Sequence, residues 1–240
     1  MYQNFIFDLY GTLLDIRTNE DKVYLWKKMS EIYSAMGAAY SGRELKEAFR
    51  KLERELSETL PENGELDLRQ VFSGLFHQKG IICNEQTIIN IAVVFRTLSR
   101  NRLQVYEGVT ETLQMLKENG KGIYLLSNAQ TDFTRPELRM TGLESWFDGI
   151  LISSEAGYKK PGREFFDCLF ESFHLLPEEC LMVGNDEFSD IAGAVSAGMD
   201  SLYIHTEISP QEPVKGMATY SVMDGDWKKV QKIMENLIAK

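Results

Sequence analysis

Asp8 closes a short apolar run, Phe5-Ile6-Phe7, and is followed by Gly11 and Thr12. Burying a carboxylate is costly unless it is paired or has a chemical task, so Asp8 is a candidate nucleophile. Three other clusters could join it. Ser127 and Asn128 follow Ile123-Tyr124-Leu125-Leu126, Lys159 and Lys160 precede Pro161, and Asn185, Asp186 and Asp190 follow Leu181-Met182-Val183-Gly184. Together they offer a carboxylate nucleophile, hydroxyl and amide donors, an ammonium and a second acidic cluster. Such a set suits electrostatic clamping of a group undergoing displacement. An aspartate nucleophile splits one hard hydrolysis into two easier steps through a covalent intermediate. Each part has a plainer explanation. Ser127-Asn128 could cap a helix, the lysines could be solvated, and Asp186 and Asp190 could answer a helix dipole. Their joint occurrence at strand ends is harder to explain that way.

The elements that must position these residues follow from the apolar periodicity. Residues 3–8 read as a buried strand. From about 20 to 99 the pattern is helical throughout, in four amphipathic stripes. These are Val23, Trp26, Met29, Tyr33 and Met36; Leu45, Phe49, Leu52, Leu56 and Leu60; Leu68, Val71, Phe72, Leu75 and Phe76; and Ile88, Ile91, Phe95 and Leu98. Such stripes are read as the core of a small bundle. From Tyr106 strands and helices alternate. Strands are expected at 123–126, 149–152, 181–183 and 201–204, with an edge strand at 219–222. A helix is expected from Ile191 to Ala197, and a closing one over 226–238. This alternation predicts an α/β fold: a Rossmann-like parallel sheet with right-handed crossovers and helices on both faces. The helical bundle is an insert. The expected division is a core of 1–16 and 100–240 and a helical cap of 17–99.

The 240 residues suffice for a sizeable core without disulfides. The formal net charge of −10 disfavours nucleic acid and anionic membranes as partners. Cys83, Cys168 and Cys180 show neither a disulfide framework nor a metal-binding spacing. A reducing, cytoplasmic setting fits, with no signal peptide and no membrane span expected. The expected partner is a small-molecule substrate, and the expected assembly a monomer or homodimer. His77, His174 and His205 lie outside every cluster.

Four segments in order resemble the haloacid dehalogenase-like hydrolase superfamily, most of whose members are phosphatases. Phe7-Asp8-Leu9-Tyr10-Gly11-Thr12-Leu13 resembles its first motif, and Leu125-Leu126-Ser127-Asn128 its second. Lys160-Pro161 resembles the third, and Val183-Gly184-Asn185-Asp186-Glu187-Phe188-Ser189-Asp190, continuing to Ala197-Gly198-Met199, the fourth. The resemblance implies that Asp8 is the nucleophile, that Ser127, with Asn128 beside it, contacts the phosphoryl group, and that Lys160 steadies both charges. It implies a brace at Thr12. It also implies magnesium on Asp8, on the backbone carbonyl of Tyr10 and on a carboxylate of the fourth motif; Asn185 aligns with the usual first aspartate, but Asp186 is the expected ligand, with Asn185 as a neutral partner. Asp190 then orients Lys160 or a metal-bound water.

Tyr10 departs from the pattern. Family phosphatases carry aspartate there, which protonates the leaving group, and losing such a group costs about 10²–10⁴-fold. Family dehalogenases carry tyrosine, since halide leaves without a proton, and so does the carboxylate of an acyl phosphate. The acidic fourth motif points the other way, because a phosphate brought against Asp8 calls for a divalent cation. The leading expectation is a magnesium-dependent phosphatase of a small phosphorylated metabolite. The alternatives are a metal-independent 2-haloacid dehalogenase, with Arg17 or Arg43 as its carboxylate clamp, and a catalytically weak metabolite-binding protein.

Overall fold

The computed structural model describes residues 1–210 and 216–239. The expected core range therefore includes 211–215 and residue 240, which lie outside the described residues. Eight strands and ten α-helices are found among the described residues. Six strands form one parallel sheet: β1 (Asn4–Phe7), β4 (Gly122–Ser127), β5 (Gly149–Ile152), β6 (Cys180–Gly184), β7 (Asp200–Ile204) and β8 (Tyr220–Val222). The order is β5-β4-β1-β6-β7-β8, so β1 lies between β4 and β6. Every pairing is parallel.

Alternation along the central strands builds the two core layers, because successive strand side chains point to opposite faces. Phe5 and Phe7, Ile123 and Leu125, and Leu181 and Val183 share one layer. It is closed by α5 (Val109–Glu118), by α10 (Trp227–Ile238) and by Leu138 of α6 (Thr131–Thr141). Ile6, Leu126, Cys180 and Met182 face the other layer, with α8 (Arg163–Phe173) and α9 (Gly193–Ser196). A short helix, α7 (Ser153–Ala156), follows β5. The Rossmann-like expectation stands.

Four helices precede this alternation: α1 (Val23–Ala35), α2 (Gly42–Ser57), α3 (Leu68–His77) and α4 (Glu85–Ser99). α2 starts at a reciprocal capping box between Ser41 and Glu44, and Asp67 and Asn84 cap α3 and α4. Their shared interior holds Trp26, Phe49, Phe72 and Phe95, with ring centroids 5.3–5.6 Å apart. Each buried phenylalanine contributes about 1.5–3 kcal/mol by leaving water. Two residues of the expected first stripe depart from it. Val23 and Met36 are exposed, whereas Leu25 is buried. Leu60 lies beyond the end of α2.

Two elements differ from expectation. A two-stranded antiparallel ribbon, β2 (Leu14–Thr18) with β3 (Arg100–Val105), leads into and out of the helical unit. The expected boundary at 16/17 falls inside β2. Where a plain helix from Ile191 was expected, a π-helical segment spans Glu187–Ala192 before α9. Asp186 starts that segment early, its side chain accepting hydrogen bonds from the Phe188 and Ser189 amides.

Candidate active site

All six strands of the sheet run the same way, so their C-terminal ends share one edge, where open α/β sheets hold ligands. Asp8 follows β1 there, Ser127 ends β4 and Asn185 follows β6. The Asp8 amide donates to Val183 O at 2.9 Å, which fixes the carboxylate between the neighbouring strands. Gly11 turns the chain immediately afterwards with a φ of +86°, a conformation open to glycine. A Cβ at Gly184 would collide with the Asp190 carboxylate, so that glycine lets Asp190 reach the site.

Lys160 organises the charges. Its ammonium lies 2.7 Å from Asp8 Oδ1, 2.7 Å from Asp190 Oδ1 and 2.7 Å from the carbonyl of Leu126. All three N–H bonds of the ammonium therefore have acceptors. Burial opposes its charge, yet the carboxylates of Asp190 and Asp8 outweigh burial and raise Lys160 above the ordinary lysine range. Burial pushes the Asp190 carboxyl upward against the pull of Lys160. The Asn128 amide accepts from the Lys160 N–H and donates to its carbonyl, both at 2.8 Å. Asn128 thus holds the Lys160 backbone in place with both arms. The Lys160–Pro161 peptide is cis.

Thr12 Oγ1 donates toward Asp8 Oδ2 at 3.1 Å and lies 3.2 Å from Asn185 Oδ1. The Asn185 Nδ2 donates to Ser209 at 3.4 Å. Thr206 donates to the Gly11 carbonyl at 2.8 Å, so the segment after β7 straps the turn that follows Asp8. Ser127 Oγ is buried and has no hydrogen-bond partner among the described residues. An orphan donor so buried is costly, and an oxyanion at this edge would satisfy it.

A cavity of about 270 Å³ is lined by Asp8, Tyr10, Asn128, Lys160, Asn185 and Asp186, and closed by Ser189, Asp190, Ile208 and Pro210. Three carboxylates face one ammonium there. A phosphate would add to an excess of negative charge, so the donor set fits a divalent cation. Asp186 spends Oδ1 on two backbone amides, and Oδ2 has no hydrogen bond among the described residues. Asn185 has both amide atoms engaged. Asp8, Asn185 and Asp186 all line the cavity and could offer side-chain oxygens to such an ion. Among the described residues no group of three or more acidic, histidine or cysteine side chains could hold one ion. Magnesium, which takes one or two carboxylates and keeps waters, suits such a site.

A model of the haloacid dehalogenase-like hydrolases matches residues 2–198. The chain belongs to the haloacid dehalogenase-like hydrolase family. It is similar to glyceraldehyde 3-phosphate phosphatase of Methanothermobacter thermautotrophicus, 32% identical over 46% of this chain and 49% of the relative. It is similar to phosphoserine phosphatase of Thermus thermophilus, 32% identical over 48% of this chain and 46% of the relative. The chain spans about half the length of these curated relatives. The 2-haloacid dehalogenase of Pseudomonas syringae shares the fold with a TM-score of 0.71, at 20% identity over 99% of this chain and 100% of that one. The HAD phosphatase of Thermococcus onnurineus does so at 0.61, with 22% identity over 98% of each chain.

As a member of this hydrolase family, the chain shows one departure that its geometry explains. The Tyr10 hydroxyl donates to Glu137 Oε2 at 2.5 Å and lies 3.2 Å from Thr134. Glu137, on α6, is paired with Arg96 of α4 at 2.8 Å and with Arg100 of β3 at 2.9 Å. The Arg96 guanidinium also lies over the Tyr10 ring, 5.2 Å from its centroid. Burial, then the Glu137 charge, holds the phenol well above its ordinary pKa. Sequence reasoning missed Glu137, Arg96 and Arg100. A signal existed: Phe133, Thr134, Glu137 and Leu138 are the buried face of α6, so a glutamate stands where an apolar residue is expected. The dehalogenase clamp candidates lie elsewhere. Arg17 pairs with Asp15 and Glu207, and Arg43 pairs with Glu47 on the exposed surface of α2. Neither lines the cavity.

Proposed function

We propose that the chain is a magnesium-dependent phosphatase of a small phosphorylated metabolite, with Asp8 as nucleophile. The observation that carries this is the Asp8–Lys160–Asp190 cluster in a cavity with more carboxylates than cations. Asp8 attacks phosphorus, and Lys160, held by Asp190 and Asn128, keeps the carboxylate aligned while charge moves through it. The buried Ser127 hydroxyl donates to a phosphoryl oxygen. Thr12 braces Asp8. Asp8, the Tyr10 carbonyl and Asp186, with Asn185 as a neutral partner, would hold magnesium, which would supply positive charge to offset that of the phosphoryl group.

The helical unit, 17–99, acts as a cap over this edge. Its packing supports that role: Phe133 of α6 belongs to the aromatic interior of the helical unit, and the Arg96 and Arg100 pairs with Glu137 cross the same junction. The three cysteines are free, which fits a reducing cytoplasmic setting. The haloacid dehalogenase alternative lacks its carboxylate clamp among the described residues of the cavity. The test is release of inorganic phosphate from an aryl phosphate with and without magnesium. Release that needs the metal and disappears in Asp8→Asn supports the proposal. No release from any phosphoester or acyl phosphate, with magnesium present, refutes it.

A further inference from the structure

A phosphatase that cleaves an alkyl ester needs an acid beside the leaving oxygen, because an alkoxide is a poor leaving group. Asp8 is the nucleophile. Lys160 spends its three N–H bonds on Asp8, Asp190 and Leu126 O. Asp190 is held by Lys160 and accepts from the Asp186 amide at 3.0 Å. Asp186 accepts from two amides at the start of the π-helical segment. The Tyr10 hydroxyl, at the position where family phosphatases keep their acid, donates a hydrogen bond to Glu137 at 2.5 Å. Glu137 is itself neutralised by Arg96 and Arg100 and buried, so it has no reason to release Tyr10. No histidine lines the cavity. Among the described residues the Tyr10 hydroxyl, the Lys160 ammonium and the Asp190 carboxylate are each committed to another partner, and the free oxygen of Asp186 is the one the proposed function assigns to the cation.

Building on the phosphatase proposal, we infer that the substrate is an acyl phosphate, a mixed carboxylic–phosphoric anhydride, whose leaving group departs as a carboxylate without a proton. Asp8 Oδ attacks phosphorus, the bond from phosphorus to the acyl oxygen breaks, and that oxygen keeps the electron pair. Dianionic substrate and Asp8 carboxylate become free carboxylate and a dianionic aspartyl phosphate. Water then attacks phosphorus, and one of its protons passes to a phosphoryl oxygen. The Asp8 carboxylate and monoanionic dihydrogen phosphate are released, so charge and protons balance in both steps. The acidic lining and the volume of about 270 Å³ favour this class over nucleoside polyphosphates, which carry more charge and bulk.

The experiment measures kcat/KM with magnesium for acetyl phosphate, for aryl phosphates of graded leaving-group acidity, and for glycerol phosphate. The expected result is a steep fall as the leaving group becomes more basic. Acetyl phosphate should exceed glycerol phosphate by at least ~10²-fold, the usual contribution of a general acid. Tyr10→Phe should change acyl and alkyl substrates by the same factor, since the hydroxyl donates to neither. A rate independent of leaving-group basicity overturns the inference and leaves the phosphatase proposal standing. So does a Tyr10→Phe loss confined to glycerol phosphate. Failure to hydrolyse every member of the series refutes the phosphatase proposal itself, and the inference with it.

Discussion

Replacing Glu137 with glutamine removes one charge and almost no volume, at the point where the helical unit meets the sheet. Glu137 is 1% exposed, while the Arg96 and Arg100 side chains are 12% and 16% exposed. Removing one partner of a buried ion pair costs about 3–5 kcal/mol, because the remaining charge stays desolvated. The arginines retain some contact with water, which places the expected loss near the lower figure, about 3 kcal/mol. For a chain of this size each kcal/mol shifts the melting midpoint by about 2–4 °C, so the expected drop is about 6–12 °C. Urea and thermal unfolding of Glu137→Gln measure it. The combined Arg96→Met, Arg100→Met, Glu137→Met variant should recover most of the loss, since no charge is left unpaired. A Glu137→Gln change within about 0.5 kcal/mol of the parent, the usual range for surface substitutions, would refute the account of this junction.

Two further outcomes follow from the same geometry. Ser127→Ala should leave the melting midpoint unchanged or slightly raised, because the buried hydroxyl has no partner to lose. It should weaken inhibition by inorganic phosphate about 10–150-fold, the equivalent of a hydrogen bond of about 1.5–3 kcal/mol to a charged group; competition assays with magnesium read this. Lys160 keeps its proton above the ordinary lysine range in the folded chain. The stability it supplies is fully present below the unfolded value of about 10.4 and is lost as pH rises through the higher folded value. The urea midpoint should therefore show an alkaline fall above about pH 10.4 that Lys160→Met lacks. An identical fall in both proteins would contradict the pairing.

The parallel sheet was legible because its central strands are short apolar runs bounded by polar residues, and because helices alternate with them. The gathering of Asp8, Ser127, Lys160 and Asp190 followed from the same fact, since parallel strands put their C-terminal ends on one edge. The ribbon of β2 and β3 was not legible. Arg100, Asn101 and Arg102 carry little of the apolar signal that marks a strand, and the ribbon packs against the core only toward its end at Leu14 and Val105. The hydrogen bonds of the fourth motif, between Asp186 and the Phe188 and Ser189 amides and between Asn185 and Thr12 and Ser209, were not legible, because they form only once the turn is folded. The partner of Tyr10 was hidden for a similar reason. Glu137 lies 127 residues away and meets the phenol only once α6 is packed beside the turn that follows Asp8.

In the proposed function Asp8 forms a covalent bond to phosphorus during turnover. Rapid quenching of the enzyme with acetyl phosphate and magnesium, followed by borohydride reduction and peptide mass spectrometry, reads this directly. Reduction of an aspartyl phosphate yields homoserine, and the account predicts homoserine at position 8 only. Turnover without conversion of Asp8, or conversion at another carboxylate, would contradict it.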